Sequence, residues 1–170
     1  MKNEHEKIAF SGGCYWCMEA IYQSLKGVKT VEQGFVAPDK SEDFSEAVIV
    51  HYDSTKITLK TLMEIHLRTH SSTVNHSMRK KYKSAVYTFS DAQIPEAEMI
   101  LKQLQSGFKE KIITQVLPFG SFRFSEEMFH NYYYANPEKP FCRTNIDPKL
   151  KMLISEFSNV INKEKLQHLY

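Results

Sequence analysis

The sequence has little that would tie it to a membrane, a nucleic acid or a disulfide scaffold. Its 170 residues hold no apolar run long enough to cross a bilayer. The formal net charge is only +2 with 25% charged residues, which gives no electrostatic footprint for nucleic acid. Cysteine is scarce and odd in number, with Cys14, Cys17 and Cys142 as the full set. The polar stretch Met1 to Lys7 lacks the apolar core of a secretory signal. Together these features argue against a framework of structural disulfides. They leave the thiols to be reactive, metal-bound or plain core residues. There is no internal repeat, low-complexity tract or long linker. The expectation is one domain over residues 1–170, a cytoplasmic monomer with neither nucleic acid nor membrane as partner.

What is present is a hydrophobic content of 42%, enough for a packed core. Its periodicity switches between strand and helix several times. Lys7 to Phe10 reads as a strand, and Gly12-Gly13 as a turn. Helical spacing runs through Cys14, Cys17, Met18, Ile21 and Leu25, with Gly27 as the stop. Val28 to Val36 reads as a strand. Ala47 to Tyr52 is apolar on both faces, as a buried central strand would be. Thr58 caps a helix carrying Leu59, Leu62, Met63 and His66 on one stripe. Ser84 to Phe89 is a strand, Ala97 to Phe108 a helix, and Ile112 to Leu117 a strand. Ser125 to Tyr134 reads as helical, Pro137 to Pro140 as a turn, and Leu150 to Ile161 as a last amphipathic helix. The order predicts an α+β two-layer sandwich with a ferredoxin-like split βαβ core and a C-terminal helical and loop extension.

The chemistry concentrates at Gly12-Gly13-Cys14-Tyr15-Trp16-Cys17-Met18-Glu19. A strand ends, two glycines turn the chain, and a helix begins at Cys14. Backbone N–H groups at a helix start favour negative charge, so a thiolate there is stabilised and its pKa should fall. Tyr15 and Trp16 can form an apolar wall beside the sulfur, suited to a small group such as an S-methyl. Cys14 and Cys17 form a CxxC at a helix start, which also reads as a thioredoxin-like redox pair or half a zinc site. A second ligand pair for zinc is missing. His66 and His70 lie one helical turn apart without the glutamate base pattern of a metal hydrolase. The run Arg79 to Lys83 reads as a solvated basic loop.

Gly13-Cys14-Tyr15-Trp16-Cys17-Met18-Glu19-Ala20 resembles the Gly-Cys-Phe-Trp motif of the A-type peptide methionine sulfoxide reductases, with tyrosine for phenylalanine. Three further segments follow in the family's order. Ser45-Glu46-Ala47-Val48 with Tyr52-Asp53 looks like its glutamate strand. Tyr82-Lys83-Ser84-Ala85 looks like its Tyr-Arg-Ser-Ala. Asn136-Pro137 with Phe141-Cys142 resembles its C-terminal cysteine segment. The likeness covers roughly residues 7 to 152. It implies a thioredoxin-dependent enzyme that reduces methionine S-sulfoxide, free or in oxidised proteins, without metal or organic cofactor. Cys14 would be the nucleophile and Glu46 the acid that protonates the oxygen. Tyr82 would bind that oxygen, and Tyr15 and Trp16 would hold the methyl group. Cys142 would resolve the Cys14 sulfenic acid as a disulfide, with Cys17 as its competitor or as a relay. Glu19 would hold the first helix through a hydrogen bond.

The chain also departs from the family pattern. The segment after Gly34-Phe35 is much shorter than the usual loop, and a tyrosine carried there has no counterpart. Phe44 stands where histidine is usual, and Ser77 where aspartate is. These departures imply thinner recognition of the oxygen. The other readings of the same residues are a CxxC thiol–disulfide oxidoreductase, a zinc or redox-sensor module, or a low-activity sulfoxide-binding protein.

Overall fold

The computed structural model describes residues 4–170. Met1 to Asn3, the start of the polar N-terminal stretch, lie outside the described residues. Five strands and five helices follow one another: β1 (Glu6–Ser11), α1 (Tyr15–Gln23), β2 (Val28–Pro38), β3 (Ser45–Tyr52), α2 (Leu59–Thr69), β4 (Ala85–Thr88), α3 (Gln93–Leu104), β5 (Gln115–Phe124), α4 (Tyr132–Ala135) and α5 (Asp147–Glu156). The first four strands pair antiparallel in the order β4-β1-β3-β2. β5 then pairs antiparallel with β2 and parallel with β4, closing the sheet into a barrel. The expected sandwich has an open sheet, whereas this sheet returns on itself.

Side chains alternate across each strand, so the sheet carries two cores. Ala9, Val36, Ala47, Ile49, Ala85 and Tyr87 form the smaller one, with Leu117, Phe119 and Phe122 packed against it. The alternate residues Ile8, Phe10, Val48, Val50 and Val86 join the larger core with Ile21, Tyr22, Leu62 and Met63 of the helices. This double burial is why Ala47 to Tyr52 is apolar on both faces. Thr58 caps α2 as its sequence suggests, accepting the Thr61 backbone N–H at 3.1 Å, a bond worth about 1 kcal/mol.

Several elements differ from the sequence reading: α3 starts at Gln93 and ends at Leu104, short of Phe108, and α5 ends at Glu156, with Ile161 instead bridging Leu25. The fifth strand starts later than Ile112 and runs through Pro118 to Phe124. The missing donor at Pro118 is tolerated because its carbonyl still takes the Asp39 N–H at 2.9 Å, beside a bulge between Ala37 and Pro38. Ser125 to Tyr134 is not one helix but a 3-10 turn at Glu127–Phe129 followed by the short α4. Asn131 breaks the run with φ +55°. Its N–H and that of Tyr132 go instead to the buried Glu19 carboxylate, at 2.9 and 3.1 Å. Gln33 joins them, donating to Glu19 at 3.0 Å and to the Phe129 carbonyl at 2.9 Å. Long-range hydrogen bonds therefore outweigh the local helical pattern, and Glu19 ties α1 to the C-terminal segment.

A histidine stack lies beneath the turn that ends β1. His66 and His70 have ring centroids 4.2 Å apart. His66 Nε2 meets the Ser11 carbonyl at 2.8 Å, and His70 Nε2 meets Ser84 Oγ at 2.8 Å. A Cβ on Gly12, where φ is +147°, would lie 2.6 Å from His70 Cδ2. Glycine is required at Gly12 both for its backbone angle and for this close approach.

Two expectations follow. At Gly34 an added Cβ would lie 2.1 Å from the Arg123 carbonyl oxygen. Gly34→Ala must therefore push β5 away from β2. It should cost about 3 kcal/mol in urea unfolding, and a wild-type midpoint would show that the strands are not so close. Burial pushes His70 down to about 4 and His66 well below the ordinary histidine value. The unfolded chain then binds protons that the native protein refuses, so this stability is complete above about pH 6.5 and falls as the pH drops toward 4. Urea midpoints measured from neutral to acid pH should show that decline, and a flat profile would mean that the imidazoles are not buried neutral.

Candidate active site

Register brings the reactive groups together. Ser11 at the end of β1 pairs with Ala47 of β3, so the chain leaves the sheet beside Glu46. Glu46 shares the parity of Val48 and Val50 and faces the helix side, towards the start of α1. Its Oε1 accepts the Tyr15 backbone N–H at 3.1 Å. Its Oε2 lies 3.3 Å from Lys81 Nζ. The carboxylate is buried, 5% exposed, yet carries two partners, as a buried charge must.

Cys14 is the N-cap residue of α1 and half-buried, and Cys17 one turn on is buried. Both thiols line one cleft. The Cys17 thiol, burial and the negative charge of Glu46 push the Cys14 thiol up, while the Trp16 backbone N–H acts in the opposite sense. The Cys14 thiol in turn pulls Cys17 down. The fall expected at Cys14 from its helix position is thus overridden by its neighbour.

Cys14 and Cys17 open onto a cleft of about 660 Å³ that Tyr82, Met78, Phe141 and Lys149 also line. Tyr82 is half-buried with its phenol pushed up by burial and by Glu46. The two aromatics beside the nucleophile lie elsewhere. Tyr15 packs edge-on against Phe35 at 5.5 Å. Trp16 stacks flat on Tyr132 at 3.9 Å and meets Phe129 and Phe141 edge-on. The indole face that was expected to hold a methyl group is covered by Tyr132.

Cys142 is fully buried in a π-helical turn, Cys142–Ile146. Its thiol points at the Asn136 carbonyl, 3.7 Å away. The segment is clamped on both flanks, since the Tyr133 hydroxyl donates to Asp147 at 2.6 Å and meets His168 at the same distance. Cys17 lines the same cleft as Cys14, and Cys142 does not.

Sequence reasoning missed Arg79. Its guanidinium donates to the carbonyls of Gly12 at 3.1 Å, Tyr82 at 2.9 Å, Val74 at 2.9 Å and Ser71. It fixes the turn before the nucleophile to the loop that carries Tyr82. No spacing marks this role, because its acceptors are backbone carbonyls scattered along the chain. Arg123 stacks on Phe44 at 3.8 Å, which accounts for an aromatic at the position where histidine is usual.

Known proteins resemble this chain in sequence and fold. A peptide methionine sulfoxide reductase MsrA from Trichodesmium erythraeum is 30% identical, over 92% of this chain and 98% of its own length. The reduced form of Mxr1 from Saccharomyces cerevisiae superimposes with a TM-score of 0.73 at 25% identity, over 83% of this chain and 91% of that one. The same yeast protein in complex with Trx2 matches with a TM-score of 0.60 at 25% identity, over 74% and 84%. The sequence pattern of the peptide methionine sulfoxide reductases matches residues 6–161, and the chain belongs to that family.

Proposed function

We propose that this thiol-dependent methionine sulfoxide reductase acts on the S epimer of the sulfoxide, peptide-bound or free, with Cys14 as its nucleophile. The observation that carries the reading is the Glu46 carboxyl bonded to the backbone N–H that follows Cys14. It sets the acid beside the only reactive thiol of the three that is not buried. The Cys14 sulfur attacks the sulfoxide sulfur, and Glu46 and Tyr82 serve the oxygen as it gains a proton. Methionine leaves and Cys14 becomes a sulfenic acid.

The next step is a disulfide. The cleft that Cys14 and Cys17 share supports Cys17 as the first to attack, with loss of water. Cys142 then takes the role of relay by exchange with Cys17, once its segment opens. A thioredoxin-like reductant restores the thiols, a partner supported by the yeast relative's complex with Trx2. For the methyl group to rest against Trp16, Tyr132 has to leave the indole face. The pairing order β4-β1-β3-β2, with α1 and α2 as connections, supports reading the first four strands as a ferredoxin-like split βαβ unit to which β5 is added.

Thiol–disulfide exchange on protein disulfides is the second reading, favoured by the same placement of Cys14 and Cys17. It needs no acid, which separates the two. Cys14→Ser should abolish sulfoxide reduction, since a serine hydroxyl is not ionised near neutral pH. Glu46→Gln should slow single-turnover methionine release by about 100-fold or more, with exchange on a small disulfide unchanged. Equal rates for Glu46→Gln and wild type would favour exchange as the activity. In the oxidised enzyme, mass mapping should find Cys14 joined to Cys17 when Cys142→Ser is used. If that variant yields only the sulfenic acid, Cys142 is the direct resolving residue.

A further inference from the structure

The fixed charges on the wall of the Cys14 cleft are all of one sign. Its volume of about 660 Å³ is more than a methionine sulfoxide side chain fills and lies in the range of sites that hold a whole small ligand. Arg68 and Lys149 stand on its wall, with His76 as a further ionisable group. Among the described residues no aspartate or glutamate lines it.

The two cations are not equivalent. Arg68 already has its counter-charges, since its guanidinium donates to Glu156 at 2.6 Å and lies 3.8 Å from Glu64. Lys149 makes no ion pair among the described residues. It stands in the first turn of α5 and is half-buried. The carboxylate of the same turn, Asp147, accepts the Tyr133 hydroxyl at 2.6 Å instead. The charge of Lys149 is felt by Cys17 and His70 on the opposite wall, so its field reaches the side that holds the nucleophile. Charged side chains leave water readily only when they are paired. A half-buried ammonium that faces a cleft without carboxylates therefore favours an anion brought by the ligand.

We propose that Lys149 is a specificity-determining residue that receives a carboxylate close to the methionine sulfoxide, so that the preferred substrates are acidic peptides. This rests on the reading of Cys14 as the sulfoxide nucleophile and narrows the substrate class of that site. Met78, Phe141 and Met152 supply the apolar part of the wall, against which the aliphatic portions of the peptide pack. Successive residues of an extended peptide are about 3.5 Å apart, so an aspartate or glutamate next to the sulfoxide enters the same cleft. A lysine or arginine at that position meets two cations and no acid to receive it. The pairing acts on binding and adds no chemical step, so it is expressed in KM and not in kcat.

The test uses the full chain and peptides that differ only in the residue after methionine S-sulfoxide, which is Glu, Gln or Lys. Reduction is followed with dithiothreitol, and binding of the same labelled peptides to Cys14→Ser is followed by fluorescence anisotropy. In the wild type kcat/KM should fall in the order Glu, Gln, Lys, with about tenfold between the extremes, carried by KM. Lys149→Met should bring the three together, and Lys149→Glu should reverse their order. Lys151→Glu makes the same change in net charge on an exposed position of α5 and should keep the wild-type order. Rates and affinities that ignore the flanking residue overturn the proposal. So does a preference that survives Lys149→Glu, or one that Lys151→Glu abolishes equally, because it would then belong to the field of the whole molecule. A wild type that reduces none of the peptides overturns the sulfoxide reading, while their order of binding to Cys14→Ser still decides the role of Lys149.

Discussion

The strict alternation of side chains along β3 governs where each reactive group stands. Ala47 and Ile49 point into the small core that the closed sheet encloses, while Val48 and Val50 point to the helices. Glu46 falls on the helix side by the same parity and reaches the backbone N–H of Tyr15. A register slip of one residue would exchange both cores at once and turn the carboxylate into the barrel. The apolar burial that stabilises the sheet therefore also fixes Glu46 relative to the start of α1. β5 strengthens this constraint, because a closed sheet has no free edge along which the strands could slide.

Around that frame the site is held by polar groups that bridge distant parts of the chain. Arg79 gathers backbone carbonyls from the Gly12 turn and the Tyr82 loop. The His66–His70 stack supports the same turn from below. Glu19 and Gln33 draw in the C-terminal segment, which lays Tyr132 on Trp16 and carries Cys142. That segment does two things. It covers the indole face, and it keeps Cys142 buried behind the Tyr133–Asp147 bond. Cys14 and Cys17 lie one turn of α1 apart and line the same cleft.

The sequence by itself determined the parts governed by local chemistry. The Gly12-Gly13 turn, the helix start at Cys14, the Thr58 cap and the doubly apolar β3 could all be read because each depends on neighbouring residues or on simple periodicity. The CxxC spacing and the family followed from one short motif. Only the tertiary structure decided the rest. It showed that Asn131 breaks the expected helix over Ser125 to Tyr134, because Glu19, more than a hundred residues earlier, takes its N–H. It turned the apparently solvated basic run into a structural arginine and a paired lysine. It reversed the expected fall of the Cys14 pKa, because the effect of a neighbouring thiol depends on side-chain placement and not on helix position. Hydrogen bonds and ion pairs between distant segments leave no periodic trace in the chain, so they become visible only when strand pairing has brought their partners within about 3 Å.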